Sequence, residues 1–165
     1  VTTGFNPGGH QTHTLGTSGT GEWLSVHAVT FSGQASTALY ADLAENYKAD
    51  AEYEPGTVLI FGGEQEVTTT QLKDDTREAG VVSEKPGYLM NKGLEGENVV
   101  ALALQGRVPV KVVGIVKKGD LLVAASTKGY AITNNQAGVG TVIGKAISTK
   151  DDAGKGVVEA VVGRV

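Results

Sequence analysis

The chain contains no cysteine among its 165 residues. That excludes a disulfide framework and thiolate chemistry, and leaves the compartment open. Aromatic residues make up only 5%, and proline occurs four times. No apolar run nears the roughly 20 residues that a spanning helix needs, so no membrane insertion is expected. No signal peptide is visible. Charge is scarce in one region. Glu22 is the only Asp, Glu, Lys or Arg in residues 1–38, which leaves the other 17 acids and all 14 bases to residues 39–165. The net charge is −4 and the pI about 5.4. No basic face is expected, and with it no nucleic-acid partner. The three histidines, His10, His13 and His27, all precede residue 39. The remainder therefore has no His for a catalytic triad. The P-loop, the G-x-S-x-G elbow, H-E-x-x-H and C-x-x-C are missing as well.

Glycine, by contrast, is abundant at 24 residues, with no Gly-x-y period. That excludes collagen. Glycine scattered among Val and Thr points to short strands joined by tight turns. The length fits one domain, or one domain with an appendage. The chain begins at Val1 rather than Met, and is expected to be a fragment of a longer protein or a processed product.

The shift in charge divides the chain into a Gly/Ser/Thr-rich, shaft-like segment, 1–38, and a β-rich domain, 39–165. The first segment has too few apolar residues to build a core alone. Residues 23–31, Trp-Leu-Ser-Val-His-Ala-Val-Thr-Phe, alternate as a strand does. Leu24, Val26 and Ala28 share one face; Trp23, Ser25, His27, Val29 and Phe31 share the other. Such a strand must pair with the following domain or with copies of itself. Low charge favours copies, because identical chains about an axis would bring like charges together. His10 and His13, in Gly-Gly-His-Gln-Thr-His, would bind a transition metal only as a ring on an oligomer axis. No Cys or acid nearby completes a site within one chain, so both are read as loop residues and no metal is assigned.

In the second segment, residues 42–50 (Asp-Leu-Ala-Glu-Asn-Tyr-Lys-Ala-Asp) suit a short helix by composition. They also alternate, and the extended reading is preferred. Glu54-Pro55-Gly56 is a turn. Residues 57–61 are a buried strand, with 64–70 as its hairpin partner. Residues 72–78 are a polar loop, 79–83 a strand, and Glu84-Lys85-Pro86-Gly87 a second turn. Residues 98–104 and 107–114 are expected to form a hairpin across Gln105-Gly106. Pro109 within it is tolerable at an edge or bulge. Pro55-Gly-Thr-Val-Leu-Ile60 is echoed by Lys118-Gly-Asp-Leu-Leu-Val123. The echo hints at a rolled-up barrel with pseudo-repeated hairpins. Strands at 130–133, 141–148 and 156–162 complete about nine. This predicts a mainly β fold, a compact antiparallel barrel or sandwich.

Candidate chemistry is thin. Asp74-Asp75 and Asp151-Asp152 read as charge pairs on polar loops, since a glycosidase pair must face across a cleft. Lys117-Lys118 reads as a solvated face. Gly138-Val139-Gly140 lacks the following helix of a nucleotide loop. The aromatics of the β domain, Tyr47, Tyr53, Phe61, Tyr88 and Tyr130, are scattered along the chain. No catalytic, cofactor or metal residue is assigned.

Several strings resemble the C-terminal region of tailed-bacteriophage tail fibres and appendages. They are residues 40–50, then Gly80-Val-Val-Ser-Glu-Lys-Pro-Gly87, Gly106-Arg-Val-Pro-Val-Lys111 and residues 118–123. Upstream, Leu15-Gly-Thr-Ser, Trp23 and Val29-Thr-Phe-Ser-Gly33 resemble the strand-and-glycine units of fibre shafts. The β domain is more distantly similar to the G2 peptidase family of intramolecular chaperones. These resemblances imply a non-enzymatic structural virion protein, assembled in the host cytoplasm. They imply a homotrimer whose partners are other virion proteins or a host surface receptor. They also imply two alternatives: a self-cleaving chaperone domain, and a carbohydrate-binding fibre tip. In the chaperone family cleavage falls just before the domain, here between Ser36 and Asp42, with Asp42 in the place of a family acid. The chain lacks the Asn-Ser pair upstream of it, and no base is evident to activate a nucleophile.

Overall fold

The computed structural model describes residues 42–163. The expected shaft-like segment, its strand at 23–31 and all three histidines lie outside them. Within the described residues there are ten strands and no helix. They are β1 (Asp42–Lys48), β2 (Val58–Phe61), β3 (Val67–Thr68), β4 (Glu78–Val82) and β5 (Tyr88–Met90), then β6 (Val99–Val113), β7 (Leu121–Ala124), β8 (Ala131–Thr133), β9 (Val142–Ala146) and β10 (Lys155–Val162). The mainly β, barrel-like expectation holds. Residues 42–50 are extended, as their alternation predicts. Most strands fall within a residue or two of their expected places, and β5 has no counterpart in the sequence reading.

The hairpin expected across Gln105-Gly106 does not exist. Residues 99–113 form one continuous strand of 15 residues. Gly106 (φ +120°) is not a turn within it. It is where the partner strand changes: Gly106 pairs with Asp42 on β1 and with Val162 on β10. Even-numbered residues face a core on both sides of that point, across a register shift beside Leu104. Val100, Leu102 and Leu104 contribute to one core, and Val108, Val110 and Val112 to another. A Gly with flanking polar residues reads as a hairpin signal, but a continuous period of two outweighs it here.

Each half of β6 belongs to its own barrel. In the first, β6 pairs with β1 and β4, β4 with β2, and β2 with β3. A parallel bridge from Val67 to Ala49, just after β1, completes the circuit. In the second, β6 pairs with β10, β10 with β9, β9 with β7, and β7 with β8. A parallel pairing of Ala131 with Val112 closes five strands into a ring. The two circuits are the same. The echo between residues 55–60 and 118–123 marks equivalent strands, β2 and β7. The correspondence extends to a bulge: Leu59 lies opposite Gly80 and Leu122 opposite Gly144, with a register shift immediately after each. The pairing is antiparallel except for the closures and the β1–β5 contact. Closure removes the exposed strand edges that would otherwise invite aggregation.

Two cores follow from two barrels. Leu59, Val67, Val82, Val100 and Leu102 fill the first. Leu122, Ala124, Ala131, Ile143, Val158 and Ala160 are among those filling the second. Val58, Val81 and Ala103 stand on first-barrel strands but join the second core, so the barrels pack against each other through buried valines. Each fully buried Val is worth about 1.5–3 kcal/mol. Pro109 faces Glu159 on β10, whose carbonyl accepts from Ile147 on the chain leaving β9 and whose N–H donates to Ser148. The position is thus a non-hydrogen-bonded pair, and the missing N–H of Pro109 interrupts no bond to β10.

Gly80 and Gly144 occupy equivalent places, and each meets the backbone of the neighbouring strand. A Cβ on Gly80 would lie 2.7 Å from the Ala103 carbonyl oxygen. One on Gly144 would lie 2.9 Å from the Val161 carbonyl carbon and closer still to its oxygen. Both Gly80→Ala and Gly144→Ala are expected to destabilise by at least roughly 1–3 kcal/mol. Gly138→Ala, where nothing lies within 4 Å, should stay within about 0.5 kcal/mol of the parent. Urea denaturation of the three variants checks this.

Candidate functional site

The acidic residues singled out in the sequence do not converge. Asp42 opens β1 and is buried. Its carbonyl accepts from the Gly87 N–H at 2.9 Å. Burial raises its carboxyl above the usual range, partly offset by a hydrogen bond with Ser83. Its Oδ2 is buried without a partner among the described residues. Asp75 is not the surface charge expected of a polar loop: it is 1% exposed. Arg77 grips it with two N–H groups at 2.8 and 3.0 Å, and the Thr70 hydroxyl donates at 2.7 Å. Arg77 therefore holds the Asp75 carboxyl well below the ordinary carboxylate range, against the opposing effect of burial. Asp74 serves another purpose. Its N–H donates to the Ala124 carbonyl, and its Oδ1 accepts from Asn134 Nδ2 at 2.8 Å. Both bonds tie the β3–β4 loop of the first barrel to the second. Asp74 and Asp75 thus hold the loop in place.

Asp151 and Asp152 sit in the exposed β9–β10 turn, as their loop composition predicts. Asp151 pairs with Lys117. Lys150 is the anchor of that turn. Its ammonium donates to Asp152 Oδ1 at 2.8 Å and to the carbonyls of Asp152, Gly154 and Gly114 at 2.6, 2.7 and 3.2 Å. Gly138-Val139-Gly140 is a turn whose Val139 is fully exposed. Among the described residues, no group of three or more His, Cys, Asp or Glu could hold a metal ion.

The aromatics are less scattered in space than in sequence. Tyr47 meets Phe61 edge to face, with ring centroids 5.8 Å apart. Tyr53 and Tyr130 line one cleft of about 390 Å³ where the two barrels meet. The first barrel contributes Glu52, Glu54, Thr57 and Thr69 around Tyr53; the second adds Lys111 and Lys128 to Tyr130. The Lys111 ammonium spans the cleft, donating to Glu54 Oε2 at 2.8 Å and to Thr57 Oγ1 at 3.0 Å. Lys155 lies 4.7 Å from the Tyr130 ring centroid, a cation–π contact. The Tyr53 hydroxyl donates to Asp50 Oδ1 and the Thr68 hydroxyl to Asp50 Oδ2, at 2.5 and 2.6 Å. Burial pushes the Asp50 carboxyl up, but these hydroxyls outweigh it and the group titrates below its ordinary range. Tyr53 is thereby held at the cleft wall. Thr69 Oγ1, also on that wall, is buried without a partner among the described residues.

Glu78 stands apart from the cleft. It opens β4, opposite Ile60 on β2. Its Oε1 is sealed from water with no partner among the described residues. Burial pushes its carboxyl up to about 8 from 4.5. The folded state thus keeps a proton that the unfolded chain releases. The stability contributed by the protonated carboxyl is full below pH 4.5, falls as pH rises, and is lost once pH passes about 8. The slope between is at most about 1.4 kcal/mol per pH unit. Glu78→Gln should therefore stabilise the protein at pH 9 by roughly 1–3 kcal/mol more than at pH 5. Thermal melts of both proteins at the two pH values test this, and an equal effect at both would refute the buried-proton account.

No family model matches the chain, and no curated protein matches it. Solved structures do. The C-terminal fragment of bacteriophage phi29 gene product 12 superposes with a TM-score of 0.54 at 14% identity. The match covers 73% of this chain and 99% of that one. The N base of the bacteriophage phi29 head fiber gp8.5 superposes with a TM-score of 0.45, also at 14% identity, over 72% of this chain and 92% of that one. The chain is therefore similar in fold to the gene product 12 C-terminal fragment over nearly the whole of that fragment.

Proposed function

We propose that this chain is a structural virion protein, part of a homotrimeric phage tail fibre or related appendage. The observation that carries the reading is the shared fold: the match to a phage gene product fragment covers 99% of that fragment. Two features of the chain support it. The strings at 40–50, 80–87, 106–111 and 118–123 occur in the order found in fibre C-terminal regions. The low-charge segment 1–38 has strand-forming residues but too little apolar area to fold alone. In this reading the three copies of that segment bury one another's apolar strand faces. The double barrel registers the chains and presents a surface to virion or host partners. The protein is assembled in the host cytoplasm and resides in the virion. Its role is mechanical, not enzymatic.

Asp42 favours one second reading, self-processing at the start of the domain. It opens the first barrel, its carboxyl is raised by burial, and Ser83 hydrogen-bonds to it. A carboxyl whose pKa is raised by burial is a better proton acceptor than a free one. In that case a longer precursor is cut between Ser36 and Asp42, releasing the domain once the trimer has formed.

Light scattering of the full chain at micromolar concentration should give three times the chain mass of 17.0 kDa. A stable monomer would sink the appendage reading. Intact mass spectrometry of a freshly expressed precursor separates the two readings. Two products that become one on Asp42→Ala would establish processing, and a single uncut product from the parent would exclude it.

A further inference from the structure

The cleft between the barrels is composed unlike the rest of the surface. It joins two tyrosines, two carboxylates, two ammonium groups and two threonine hydroxyls in about 390 Å³. That volume is at the small end of the roughly 300–1,000 Å³ typical of ligand sites. Junctions between packed units are where such sites concentrate. The charges balance: Glu52 and Glu54 face Lys111 and Lys128. A strongly anionic or cationic ligand would meet as much repulsion as attraction there, and an apolar one would strand the polar groups without partners. The tyrosines offer flat apolar faces with a polar tip.

A ligand that satisfies all of these is small, uncharged, rich in hydroxyls, and apolar on one face. We propose that the cleft is a binding subsite for a neutral saccharide of one or two hexose rings. The sugar's C–H face lies against the tyrosines. Its hydroxyls donate to Glu52 and Glu54 and accept from Lys128, whose side chain has no hydrogen bond among the described residues comparable to that of Lys111. Lys111 is already held across the cleft by Glu54 and Thr57, so its stem need not be ordered on binding. Tyr53, tied to Asp50, supplies a fixed wall from the first barrel. Tyr130, beneath Lys155, supplies one from the second.

This assignment deepens the attachment half of the appendage reading and rests on it only for the sugar's source. The test uses the full chain. A glycan array is read first, followed by amide chemical-shift titration with N-acetylglucosamine and methyl α-glucoside. The expected result is array binding to neutral glycans, with shifts confined to residues 52–57, 69, 111 and 128–130. Tyr130→Ala should weaken binding about tenfold. Glu52→Gln, an exposed change that should not disturb folding, should weaken it several-fold. Tyr88→Ala, on β5 outside the cleft, should leave it unchanged. An array with no binding overturns the proposal, as do shifts elsewhere on the surface. So does affinity unaffected by both Tyr130→Ala and Glu52→Gln. A trimer that binds no sugar would remove this subsite and leave the appendage reading intact; a monomer that binds sugar would do the reverse.

Discussion

The described structure hangs on one strand. β6 runs for 15 residues and is a wall of both barrels. It cannot be displaced from one barrel without opening the other, because its side chains enter both cores. The change of partner at Gly106 is what lets one strand serve two rings. Up to that residue its antiparallel neighbour is β1, and from it onward the neighbour is β10. The cross-packing of Val58, Val81 and Ala103 into the second core adds a further bond between the halves. The barrels are thus coupled covalently, by hydrogen bonding and by apolar burial.

The two rings use one plan with different furnishing. Strand circuit, parallel closure and the bulge opposite a glycine recur in both. The connections diverge. The first barrel carries β5 in its β4–β6 connection, where the second has only a short turn between β9 and β10. The first barrel's β3–β4 loop holds the buried Asp75 carboxylate, paired with the exposed Arg77 and satisfied by Thr70 as well. A buried charge is tolerable when it is paired and fully hydrogen-bonded in this way. Asp74, beside it, reaches across to the second barrel. Divergence is concentrated in loops, where backbone is free to change and where binding surfaces are built.

That division bears on function. The regular strands carry closure and core, and a likeness of fold to a phage gene product fragment rests on them. The cleft, in contrast, is made of residues that follow β1 or β3, precede β8 or lie on the outward face of β6. Its Tyr53 and Tyr130 come from different barrels. Nothing in a single ring would bring them together, so the site exists only because two rings are packed side by side.

Much of the fold was legible in the sequence. Period-two alternation marked the strands, and Pro-Gly and polar-Gly pairs marked the turns. The echo of residues 55–60 in 118–123 reported a real equivalence of β2 and β7. Local chemistry was sufficient there, because strand and turn preferences act over a few residues. It misled at Gln105-Gly106, where the same turn chemistry occurs inside a strand and only the neighbours on either side keep the backbone extended. It misled at Asp75, whose loop is polar in composition but turns that carboxylate inward beneath an exposed Arg77. It was silent on β5, which is held by pairing with β1 rather than by its own three residues. The cleft was invisible, because contact between residues far apart in the chain depends on how the barrels close and pack. The sequence by itself determined that this is a mainly β, glycine-turned chain with a low-charge leading segment. Tertiary structure alone decided that there are two barrels, that one strand joins them, and that two distant tyrosines line one cleft between them. The physical reason is range: propensity and periodicity are local, whereas ring closure and charge balance in a cleft are properties of the packed whole.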